Sequence, residues 1–67
     1  MDHLIDYLRL EYNLPTDAAL AERMEISPPV ISKLRNGHMN LSPSIILRIH
    51  DTFGMSIANI KRIAYGV

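Results

Sequence analysis

An all-α fold is predicted by three observations on this sequence of 67 residues. Isoleucine and leucine dominate the apolar set while aromatics make up only 6% of the chain. The apolar residues recur three and four apart, as on a helix, and do not alternate as on a strand. Strong start and stop signals then cut the chain into five short pieces. There is no cysteine, so a disulfide scaffold or a thiolate zinc site is excluded, and a domain of this size buries only about 60% of its unfolded surface. The length predicts one compact domain over 1–67, with no internal repeat or linker.

The first helix is expected from about Asp2 to Tyr12. Leu4, Ile5, Leu8 and Tyr12 lie on one stripe, and Asp2, Asp6 and Arg9 lie opposite. Asp2 and Asp6 also suit the positive end of the helix dipole. Asn13 is a left-handed terminator, and Leu14 before Pro15 is pushed out of the α region. Thr16 then caps a second helix over Asp17 to Met24, whose apolar face is Leu20, Ala21 and Met24.

Ser27 is placed to cap a third helix that begins with Pro28 and Pro29, tolerated there because the first amides of a helix have no helical partner. That helix is expected to end at Gly37, and His38 to Leu41 form a loop. Ser42 caps and Pro43 starts a fourth helix reaching Phe53, closed by Gly54, with Ile45, Ile46, Ile49 and Phe53 on its buried face. Ser56 opens a fifth, with Ile57, Ile60, Ile63 and Ala64 as its stripe and Lys61 and Arg62 toward its negative end.

Two short amphipathic helices joined by a turn of about three residues are what a helix-turn-helix requires, and residues 17 to 36 meet the requirement. Ala21 places a small side chain where the two helices cross, and Ile26 fills the inside of the turn. Ile31 and Leu34 pin the third helix to the core. At 100° per residue Pro29, Ser32, Lys33 and Asn36 fall on the opposite face, where a DNA groove would meet them.

The ordered set Thr16, Leu20-Ala21, Ile26-Ser27, Val30-Ile31-Ser32-Lys33-Leu34, Asn36-Gly37, Ile46, Ile49, Phe53-Gly54-Met55-Ser56 and Ile60 resembles the lambda-repressor-like (Cro/C1-type, XRE) helix-turn-helix domains. The resemblance runs over nearly the whole chain, including the count and lengths of the helices. It implies a compact five-helix domain with its helix-turn-helix at about residues 17–36, and a third helix that lies in the major groove of operator DNA. It further implies that Pro28, Pro29, Ser32 and Lys33 face base edges. The N-termini of the second and fourth helices would grip phosphates, and Arg9, Thr16, Asp17, Ser27, Arg35, Asn36 and Ser44 are the candidates near the DNA backbone.

Departures from the family pattern carry their own expectations. Glu25 stands where the turn usually has glycine, at a cost of roughly 1 kcal/mol if its backbone is left-handed. Asp17 stands where glutamine often contacts a phosphate, and a carboxylate there would repel one. Arg9 matches an arginine that often pairs with a glutamate late in the third helix; the matching position is Arg35, so that pair cannot form and both arginines are expected to be free for phosphates. Pro28 and Pro29 present no amide or hydroxyl, which leaves them shape and apolar contact, as with a thymine methyl, and leaves Lys33 as the direct reader of guanine O6 and N7.

The formal net charge is zero, which by itself argues against a polyanionic partner. The zero is a cancellation. Residues 1–25 hold six acids and two bases, a net −4, and residues 26–67 hold five bases and one acid, a net +4. The third helix lies in the basic part.

Ile57, Ile60, Ile63, Ala64, Tyr65 and Val67 put more apolar surface on the last helix and tail than one core face requires, and dimerisation there is expected by resemblance, with packing of the tail on the first helix as the alternative. A two-fold dimer would present its recognition helices about 34 Å apart. His3, His38 and His50 show no ligand spacing, so no metal is expected; His50 is read as a hydrogen-bonded, half-buried histidine. Ser32 has no His and Asp arrangement and there is no glycine-rich phosphate loop, so neither enzymatic activity, a cofactor nor a small-molecule substrate is expected. The acidic N-terminus and the lack of a long apolar run point to a cytoplasmic protein without a membrane partner.

The residues and the resemblance together predict a sequence-specific DNA-binding transcriptional regulator of the phage or prophage repressor type, bound as a homodimer to a palindromic operator in double-stranded DNA. The competing reading is a helix-turn-helix protein-interaction module, an antitoxin-like or antirepressor subunit whose partner uses the acidic N-terminal half.

Overall fold

Five helices form in the expected order in the computed structural model, which describes residues 2–66. They are α1 (Asp2–Glu11), α2 (Asp17–Met24), α3 (Pro28–Arg35), α4 (Pro43–Phe53) and α5 (Ile57–Tyr65). No strand occurs among the described residues. Two ends fall short of expectation. α1 stops one residue before Tyr12, although the Tyr12 amide still donates to the Leu8 carbonyl at 3.1 Å, and α3 stops two residues before Gly37.

Each helix gives its apolar stripe to one core: Leu4, Ile5 and Leu8 from α1, Leu20, Ala21 and Met24 from α2, Ile31 and Leu34 from α3, Ile46 and Ile49 from α4, and Ile60 from α5. Leu41, in the loop before α4, completes it at 6% exposure. α3 packs on α1 and α2, and α5 packs on α1 and α4. A second contact ties the C-terminal end of α1 to α4: the Tyr12 and Phe53 rings stack with centroids 4.2 Å apart, and the Arg23 guanidinium lies 5.6 Å from the Phe53 centroid. Burial raises the Tyr12 hydroxyl above its ordinary pKa, so it stays neutral in this stack.

The turn between α2 and α3 sets the angle at which α3 is presented. The Ile26 amide donates to the Ala21 carbonyl at 3.0 Å and the Glu25 amide to the Glu22 carbonyl at 3.1 Å, a Schellman ending. That ending needs a left-handed residue, and Glu25 supplies it with φ 57°. Asn13 ends α1 in the same way with φ 60°, as its side chain led one to expect. Replacing Glu25 by glycine removes a cost of roughly 1 kcal/mol, offset in part by the freer unfolded chain. The variant is expected to melt up to about 5 °C higher by circular dichroism; a midpoint lowered by several degrees would show that Glu25 is not strained.

Three of the four expected caps form. The Thr16, Ser42 and Ser56 hydroxyls accept from the amides of Ala19 at 3.0 Å, Ile45 at 3.3 Å and Asn59 at 3.1 Å. Ser27 sits at the N-cap position but makes no side-chain cap bond. The reason is local. Pro29 has no N–H to give, and the Val30 amide already donates to the Ser27 carbonyl at 3.0 Å. Between α4 and α5, Gly54 adopts φ 72° and the half-buried His50 ring pairs through Nδ1 with the Met55 carbonyl at 2.6 Å, as its position in the sequence suggested.

Candidate nucleic-acid interface

α3 divides cleanly into an inner and an outer face. Ile31 and Leu34 are 0% and 2% exposed, wedged against α1 and α2, while Pro28, Pro29, Ser32, Lys33 and Asn36 are all exposed. Helical periodicity sets Pro29, Ser32, Lys33 and Asn36 opposite Ile31 and Leu34, and Pro28, at the first position of the helix, is exposed beside them. On the outer face Asn36 Nδ2 donates to Ser32 Oγ at 3.4 Å, a long bond. The expected backbone contacts Thr16, Ser27 and Ser44 are exposed as well.

The two arginines are placed differently from expectation. Arg9 and Arg35 are not free: both bind Asp17. Arg35 straddles the carboxylate, with Nε donating to Oδ2 at 2.8 Å and Nη2 to Oδ1 at 2.8 Å. Arg9 Nη1 donates to the same Oδ1 at 3.0 Å. Arg35 reaches on to Asp6 Oδ1, 2.9 Å from its Nη1, and Arg9 also donates to the Leu14 and Pro15 carbonyls. The cluster therefore stitches together α1, the first turn of α2 and the last turn of α3.

Planar guanidinium and carboxylate groups match in such a fork, and charge-assisted bonds of this kind are the stronger ones. The bonds from Arg35, with the charge of Arg9 behind them, hold the Asp17 carboxyl below its ordinary pKa against the opposing effect of burial. The same bonds raise Arg35 further above its already high value. Asp17 is thus no bare carboxylate facing a phosphate, and Arg9 and Arg35 are no bare cations seeking one. Two charges of each sign cancel within the cluster, and Lys33 is left as the formal charge on the outer face of α3.

The sequence held a signal for this arrangement that single-position reasoning missed. Two departures from the family pattern occur together, an acid at position 17 and a base at position 35. Taken singly, Asp17 read as a charge that would repel a phosphate and Arg35 as a cation free for one; across eighteen residues they pair with each other. The role of Asp6 as the second partner of Arg35 had no such signal.

At the C-terminal end, Ile60 is 0% exposed and belongs to the core, so it is withdrawn as a dimer contact. It lies at the centre of the stripe that α5 turns toward α1 and α4. Ile63 and Ala64 are half-buried against that core, whereas Ile57 and Tyr65 are 39% and 51% exposed. Val67 lies outside the described residues. Among the described residues no three metal-ligating side chains gather, and no helix is long and apolar enough to cross a membrane.

Two short helices joined by a Schellman turn, the second with its inner side locked and its outer side open, define a helix-turn-helix DNA-binding domain. The helix-turn-helix family model of the Cro/C1 (XRE) type matches residues 5–60, and the chain belongs to that family of DNA-binding regulators. Neither curated proteins nor solved structures include a significant match.

Proposed function

We propose that the protein is a sequence-specific transcriptional regulator of the phage or prophage repressor type, a cytoplasmic homodimer that inserts α3 into successive major grooves of a palindromic operator. The observation that carries this reading is the outer face of α3: its inner residues are consumed by the core, while Pro28, Pro29, Ser32 and Lys33 are exposed with no partner helix across them. Lys33 donates to guanine O6 and N7, with Ser32 and Pro29 beside it, and Thr16, Ser27, Asn36 and Ser44 lie toward phosphates. The exposed surface of Ile57 and Tyr65, with Ile63 and Ala64 beneath, joins two copies so that the recognition helices stand about 34 Å apart.

The test is a titration of Lys33→Ala against duplexes recovered by selection from random DNA. A base reader costs about 1–3 kcal/mol on the selected site, a loss of roughly fivefold to 150-fold, and leaves binding to unrelated DNA nearly unchanged. A phosphate contact weakens all duplexes alike and flattens the salt slope by about one. No change in either quantity rejects the assignment of Lys33. A palindrome is expected to bind two copies and to outcompete a single half-site.

One observation favours the second reading, a protein-interaction module. Leu10 on α1 is 87% exposed within the acidic N-terminal half. Failure to bind any duplex at low salt would select that reading.

A further inference from the structure

The first turn of α3 lacks the backbone donors that make a helix start an anion site. Such a site rests on amides left unpaired at the first positions. Here Pro28 and Pro29 occupy the first two positions and have no N–H, and the amide of the third, Val30, is spent on the Ser27 carbonyl at 3.0 Å. Ser27 does not turn its hydroxyl onto the helix end either. What projects is a pair of exposed pyrrolidine rings, held rigidly by the helix, carrying neither donor nor acceptor.

In the major groove the base edges present hydrogen-bond donors and acceptors, small C–H groups and one protruding apolar group, the 5-methyl of thymine. A polar edge pressed against pyrrolidine would give up its water and receive nothing in return. A methyl gives up nothing. Pro29 and Lys33 are one helical turn apart on the same outer face, about 6 Å along the axis, or roughly two base steps.

We infer that the half-site of this protein is defined by thymine methyl groups packed against Pro28 and Pro29, within about two base steps of the guanine that Lys33 contacts. This deepens the operator reading and rests on it. Specificity at the tip of α3 is then a matter of methyl burial, and 5-methylcytosine, which places the same methyl in the groove, substitutes in part for thymine.

The experiment replaces each thymine of a selected duplex by deoxyuridine in turn, which removes the methyl and keeps the pairing. One or two positions per half-site are expected to lose roughly threefold to fivefold in affinity, the worth of one buried methyl. In Pro28→Ser and Pro29→Ser, which keep a residue compatible with the start of a helix, the loss at the matching position is expected to disappear. Specific binding with no uracil-sensitive position overturns the inference and leaves the operator reading standing. A uracil effect that persists in both serine variants also overturns it, since the methyl would then act through the shape of the DNA. If no duplex is bound at low salt, the operator reading itself falls, and this inference with it.

Discussion

Ile31→Ala is expected to leave a large share of the molecules unfolded at 37 °C. Ile31 is 0% exposed and anchors α3 against the core, and truncating a buried isoleucine costs about 2–5 kcal/mol when the site cannot collapse around the void. A domain of this length holds only about 3–10 kcal/mol in total. The loss is therefore comparable with the whole stability. Ile31→Val removes one methyl and is expected to cost about 0.5–1.5 kcal/mol, leaving a folded protein with a lower melting point. Urea titration followed by circular dichroism separates the two variants. Because DNA binds only the folded form, excess selected duplex is expected to restore structure to the alanine variant by mass action. An alanine variant as stable as the parent would mean that α3 is not held by this side chain.

Asp17→Asn is the second large effect, and it acts on stability and on DNA binding in opposite senses. The asparagine removes the charge that two guanidiniums share. Asp17 is 36% exposed, so solvent screens the pairs, and the expected loss is about 1–2 kcal/mol for the cluster as a whole. The pH dependence follows from the direction of the shift. Arg35 and Arg9 depress the folded-state pKa of Asp17, so its contribution is complete above the ordinary carboxyl value of about 3.9 and is lost as pH falls through the lower folded value. The gap in stability between parent and variant is thus expected to be widest near neutrality and to close in acid. A gap that stays constant down to pH 2 would show that the ion pairs are not its source.

The same substitution releases Arg9 and Arg35 from their shared anion. Arg35 keeps Asp6, 2.9 Å away, so one partly exposed cation, Arg9, becomes available to the DNA backbone, and the slope of log affinity against log salt is expected to steepen by about one unit. Loss of affinity without a steeper slope would indicate that the cluster chiefly orients α3. In the parent, the neutral cluster and the single formal charge on the outer face of α3 predict a shallow slope for a DNA-binding protein.

Much of the fold was legible because each helix carries its own boundary chemistry. Thr16, Ser42 and Ser56 cap within three residues, and Asn13, Gly37 and Gly54 take the left-handed positions that follow, so these signals need no distant contact. Periodicity likewise identified Ile31 and Leu34 as the inner face of α3 and its neighbours as the outer one. Less legible were the positions whose role depends on a distant element. Leu41 reads as loop and is core, because the space it fills is made by other helices. Ile60 reads both as part of the α5 stripe and as a dimer contact, and only the first holds, because the core closes over it.

The charges divide in the same way. From composition the protein is neutral, and from position it is an acidic segment followed by a basic one. Linear order cannot tell that Arg35, from the basic part, folds back between Asp17 and Asp6 of the acidic part. Local chemistry, which acts over three or four residues, determined the helices, their ends and the face that α3 presents. Coulomb pairing and core packing act through space between residues far apart in the chain, and so the fate of the arginines and the limits of the core were decided only when the five helices came together.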